Sequence, residues 1–83
     1  MSSFWNHRIL AHQYNDEIFF QIHEVYYDKN KKPESYTKNP IYVGGEDLKS
    51  ITWTLNRMLE SRKKPILWAG DKFPKEFEIN HVW

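Results

Sequence analysis

The chain has 83 residues, no cysteine and a formal net charge of +1. That length holds one domain with a modest core. The missing cysteines exclude a disulfide framework, a thiol nucleophile and a cysteine-ligated metal site. The near-neutral charge supplies no strong field to recruit nucleic acid or an anionic membrane. Aromatic residues make up 17% of the chain, enough for packing to supply the stability and leave aromatic surface for a partner.

The N-terminus has no basic stretch leading into a long apolar segment, and no run approaches a membrane span. A cytoplasmic location is therefore expected. Phe4 to His12 reads as a first strand, and Gln13 to Glu17 as a turn in which Asn15 and Asp16 tolerate positive φ. The stretch from Ile18 to Asp28 is the longest run of β-branched and aromatic residues and predicts a central strand. With Asn15 and Asp16 as the two turn residues, Ala11 opposes Phe20, Ile9 opposes Ile22, His7 opposes Glu24 and Trp5 opposes Tyr26. A slip of one residue loses these matches.

His7 and Glu24 are then a polar pair on an otherwise apolar face. A carboxylate among aromatics is costly unless paired. The pair reads first as structural and second as a small-ligand or acid–base site. The opposite face sets Phe4 against Tyr27, Arg8 against His23, and Leu10 against Gln21. If open, that face offers Arg8, Phe19, His23 and Tyr27 to single-stranded nucleic acid by stacking and phosphate contact.

Asp28 to Pro33 is a lysine-rich turn. Glu34 to Val43 reads as a third strand, split by Pro40, which cannot donate a ladder bond. Gly44-Gly45 ends it. A phosphate-cradling role for the glycines is weak, because no phosphate-loop pattern follows and Glu46 and Asp47 oppose an anion. From Glu46 to about Arg62 the period is helical. Leu48, Ile51, Leu55, Met58 and Leu59 form a stripe expected to cover the apolar side of the sheet. Pro65 stops the helix, and Trp53 lies roughly opposite the stripe, near Arg57.

Ile66 to Ala69 predicts a fourth short strand. The tail alternates over Phe77, Ile79, His81 and Trp83 and is too apolar to be left in water. The expected architecture is α+β: a three- or four-stranded antiparallel sheet (β-β-β-α-β) with one helix packed on one face. Residues 1–83 form a single domain, with residues 1–69 as the sheet-plus-helix body. Residues 70–83 are an aromatic C-terminal tail docked on its own chain or on a second copy.

No spacing names a reaction. His23 and Glu24 are neighbours that point to opposite faces, so they cannot chelate one ion, and neither a metal site nor a cofactor is expected. Ser35, Ser50 and Ser61 lack a nucleophile-elbow context.

Several stretches carry a likeness: Trp5-Asn6-His7-Arg8, Phe20 through Asp28, Val43-Gly44-Gly45, Leu55 through Leu59, and Lys64 through Leu67. In these the chain resembles a family of small uncharacterised bacterial proteins, with Ile-His-Glu-Val-Tyr-Tyr-Asp as the most specific part. The resemblance spans about Trp5 to Leu67. It implies a bacterial source and a shared small fold, and it carries no catalytic residue across.

The reading favoured by the sequence is a small, non-enzymatic interaction or regulatory module, expected to be a homodimer. Trp53, Arg57, Trp68, Phe73, Phe77 and Trp83 are its candidate partner surface. Nucleic-acid binding by the open face and a ligand site at His7–Glu24 are the alternatives.

Overall fold

The structure, a computed structural model, describes residues 4–78. Its elements are β1 (Trp5–Tyr14), β2 (Glu17–Tyr27), β3 (Pro33–Tyr36), α1 (Leu48–Ser61) and β4 (Leu67–Trp68), followed by a 3-10 turn at Gly70–Lys72. The four strands form one sheet in the order β3-β2-β1-β4. With one helix packed against it, the fold is α+β.

The β1–β2 hairpin has the register that the turn chemistry predicts. Trp5 pairs with Tyr26, His7 with Glu24, Ile9 with Ile22 and Ala11 with Phe20. Asn15 takes φ 55°, the left-handed turn conformation that asparagine tolerates. β3 pairs antiparallel with β2 through Val25–Tyr36 and Tyr26–Ser35. The expected longer strand stops at Tyr36. Its continuation still tracks the edge of β2, with Thr37 N–H donating to Glu24 O at 3.0 Å and Ile41 N–H to Ile22 O at 2.8 Å. Pro40 lies between those two donors and has none to offer.

β4 corrects the expectation of a wholly antiparallel sheet. It runs parallel to β1, pairing Leu67 with Leu10 and Trp68 with Ala11. The chain leaves the sheet at the β3 edge and re-enters at the opposite edge, with α1 in the crossover. A parallel neighbour needs such a connection.

α1 lies on the expected face, where Arg57 meets Trp5 and His7, but the buried apolar cluster lies on the other. Leu10, Val25, Tyr27 and Leu67 are buried together, with Tyr36, Ala69 and Phe73 packed against them. This is the face of Arg8 and His23, which are buried too. Ile18 and Tyr26, on the nominally more apolar face, remain exposed. Ile18 stands near the turn and Tyr26 near the far end of the hairpin, where less chain covers them.

The helix begins two residues later than the sequence suggests. Asp47 is its N-cap, and its carboxylate accepts from Ser50 N–H at 2.8 Å. Ile51, Thr54, Arg57 and Met58 are half-buried and Ser61 is buried, so these residues make the packed face. Leu48, Leu55 and Leu59 were expected to cover the sheet but face outward, at 79%, 50% and 67% exposure. The helical stripe is wider than the contact it makes, and the sheet takes only one flank of it.

After the 3-10 turn the chain folds back along β4. Trp68 N–H donates to Lys75 O, and Phe77 N–H to Ile66 O, both at 2.7 Å. Phe73 packs on Tyr36, and Phe77 packs on Phe20 and Trp68. This part of the tail therefore docks on its own chain. The expected strand beyond Glu78, including Trp83, lies outside the described residues.

Candidate functional site

Four groups of side chains have chemistry beyond simple packing. The first is the His7–Glu24 pair. β1 and β2 hold the two residues opposite each other, yet Glu24 Oε1 accepts from Tyr26 O–H at 2.6 Å. Among the described residues the only ion pair is Lys63–Glu60, at 3.1 Å, so His7 and Glu24 are register partners without a salt bridge. That hydrogen bond is the main cause of the raised Tyr26 pKa. Burial and the nearby Arg57 guanidinium lower the His7 pKa and outweigh the opposing pull of Glu24.

The second group occupies the face proposed for nucleic acid. Arg8, His23 and Tyr27 are buried there and only Phe19 is exposed, so bases have little surface on which to stack. Arg8 donates through Nη1 to Tyr27 Oη and through Nη2 to Pro65 O, each at 2.7 Å. The Tyr27 hydroxyl in turn donates to Asn6 Oδ1 at 2.9 Å. The guanidinium is buried with neutral acceptors alone, and its Nε has no partner. This network ties the start of β1 to the end of β2 and to the turn before β4.

The third group was not anticipated. His12 Nε2 and His23 Nε2 lie 3.0 Å apart, and His23 Nδ1 lies 2.9 Å from Thr37 O. A carbonyl only accepts, so His23 Nδ1 carries a proton. With His23 neutral, its Nε2 must then accept from His12 Nε2–H. Phe19 stacks on His12, and Tyr36 meets His23 edge-on. Burial lowers both pKa values. The register places His12 opposite Phe19 and His23 opposite Arg8, so the rings lean together over two cross-strand rows. Alternation put them on one face, but only the curl of the sheet brings them into contact. Among the described residues no group of three or more metal-ligating side chains converges.

The fourth group combines a cleft with the helix surface. The cleft opens between the start of β1 and the second half of α1. It holds about 250 Å³ and is lined by Phe4, Trp5, Asn6, His7, Arg57, Glu60 and Lys64. The Arg57 guanidinium lies over two indoles, 4.7 Å from the Trp5 ring centre and 4.9 Å from that of Trp53. The Trp53–Arg57 half of this arrangement is readable as helical i, i+4 neighbours. The Trp5 half requires the tertiary fold. Trp68, Phe73 and Phe77, also named as partner residues, are half-buried within the chain, and Trp68 carries the Lys72 ammonium 4.4 Å above its ring.

No known protein family matches this chain, and neither the curated proteins nor the solved structures give a match. Among the described residues no helix is long and apolar enough to cross a membrane.

Proposed function

We propose that the protein is a small interaction module that self-associates through the outward face of α1. The observation that carries this reading is the exposure of Leu48, Leu55 and Leu59 on a helix that already packs by its other flank. With Thr52 they recur at steps of four, three and four residues. This is the spacing of a two-helix seam.

The self-complementary form of this stripe favours a second copy as the occupant. In an antiparallel pairing about a twofold axis near Leu55, Leu55 meets its counterpart and Thr52 approaches Leu59. The antiparallel arrangement is self-complementary, as a twofold dimer requires. A helix of 14 residues is about 21 Å long, and one such face gives an interface below the usual ~1,200–2,000 Å². The expected dimer is weak and reversible.

Sedimentation or light scattering across a concentration series tests the proposal. The mass should rise toward two chains at high micromolar protein, and Leu55→Glu should hold it at one chain with an unchanged circular dichroism spectrum. A wild-type mass that stays at one chain overturns the reading, and so does a Leu55→Glu variant that folds and still dimerises.

A further inference from the structure

We infer that the cleft between β1 and α1 is a binding site for a small carboxylate with a flat apolar body, held beside Trp5 and His7 by Arg57, whose guanidinium Trp5 and Trp53 position. The cleft and the proposed self-association surface occupy different sides of α1, so this inference does not depend on the dimer.

The charge balance of the cleft comes first. Its lining holds two cations, Arg57 and Lys64, and one carboxylate, Glu60. Lys63, outside the lining, already engages Glu60 at 3.1 Å, and no other ion pair occurs among the described residues. The cleft is therefore cationic and its two cations lack a carboxylate.

The donor geometry comes second. Two indoles fix the position of the guanidinium, which limits the entropy lost when it binds. A guanidinium donates in its own plane, along edges that match the two oxygens of a carboxylate. On Arg57 the Nε–H is buried and has no acceptor. Such a donor costs free energy in the empty protein and recovers it when an acceptor arrives.

A second polar group points to a ligand independently. His7 is only 4% exposed, it lines the cleft, and its Nδ1 is buried without a partner. A buried ring nitrogen normally has one. The walls supply the rest of the selectivity. Phe4 and Trp5 are aromatic surfaces beside the cation, suited to a planar apolar body. At about 250 Å³ the space falls just below the range of about 300–1,000 Å³ usual for drug-sized ligands. That admits a molecule of benzoate size.

The test uses the full chain and three probes: benzoate, its uncharged isostere benzamide, and inorganic phosphate. Nitrogen-edited NMR follows the Trp5 and Trp53 indole N–H and the Arg57 Nε–H. Benzoate should give saturable shifts at all three. Arg57→Gln should weaken benzoate binding at least about tenfold, the loss expected of a charge-assisted hydrogen bond. Should that variant not fold, Lys64→Gln on the exposed rim should still weaken binding by a few-fold. The absence of saturable shifts with benzoate overturns the assignment. Equal binding of benzamide removes the role of the charge, and equal binding of phosphate removes that of the ring. Undiminished benzoate binding in a folded Arg57→Gln protein removes the role of Arg57.

Discussion

At the scale of single residues, the buried polar groups define this protein more than its apolar ones do. Leu10 and Val25 are core residues any hairpin could supply. Arg8, His23 and Tyr27 share that core because most of their polar atoms find partners: Pro65 O and Tyr27 Oη for the two Arg8 Nη atoms, Thr37 O for His23, Asn6 Oδ1 for Tyr27, with Arg8 Nε left over. The His12–His23 contact has a consequence for pH. Its Nε2–Nε2 axis has room for one hydrogen, and a second proton would set two N–H groups against each other. The side chains around the pair are Thr37, Tyr36 and Phe19, with Arg8 opposite His23 in the register. No carboxylate is among them. In the folded protein both pKa values lie below the ordinary histidine value of 6.5, first through burial, and His7 shifts the same way. The unfolded chain therefore binds protons first as pH falls. Stability should be full above about pH 6.5 and decline as pH drops through the lowered folded values. Denaturant midpoints measured from pH 7.5 to 5 check this. The decline should be clearly shallower in His12→Gln, where the shared hydrogen bond no longer involves two titrating rings.

At the scale of elements, local chemistry settled some features and connections settled others. The hairpin register was legible because Asn15-Asp16 fixes the turn and alternation does the rest. That the second face would be covered as well was not legible. That depends on where the chain goes after β3, and β4 with the 3-10 turn brings Leu67, Ala69 and Phe73 onto the face of Arg8 and His23. The apolar count of Ile18, Phe20, Ile22 and Tyr26 pointed only to the face on which α1 packs. The start of α1 shows a related limit. Glu46 and Asp47 read as an acidic first turn, whereas Asp47 is the cap and the helix follows it. Gly45 also has a role that its sequence context did not disclose. A Cβ at this position would stand 2.6 Å from Ser50 Cβ, inside contact distance. The glycine lets the loop close over the first helical turn, which gives a packing reason for it without an anion. Gly45→Ala should force loop and helix apart and cost about 1 kcal/mol, at the low end for an overpacked contact. Chemical denaturation should show that loss, while Gly44→Ala, facing the flexible Tyr42 ring, should cost less.

At the scale of the whole molecule, the question is what completes so small a core. A chain of 83 residues buries a smaller share of its surface than a larger domain does. Its buried apolar set is Leu10, Ala11, Val25, Tyr27, Ile66 and Leu67 among the described residues. Two of those six come from the segment after the helix, and the tail seals that segment from outside. Phe77 closes over it edge-on to both Phe20 and Trp68, with ring centres 5.5 and 5.0 Å away. Its amide also bonds to Ile66 O at 2.7 Å, so the tail supplies the outer ladder of a two-residue strand. Without that ladder β4 would be an open edge beside exposed aromatic surface. The aromatic residues that the sequence offered as a partner surface are thus partly spent within the chain. The outward leucines of α1 are not. The two readings separate cleanly by mutation. Phe77→Ala removes half-buried aromatic packing and should cost about 2 kcal/mol, seen as a lower thermal midpoint at any protein concentration. Leu55→Glu removes an exposed group, so it should leave the midpoint of the dilute protein nearly unchanged and act only where chains meet. If Phe77→Ala left the midpoint in place, the tail would be an accessory to the sheet. A drop of the expected size makes it part of the fold and leaves the α1 face as the apolar surface still in search of a partner.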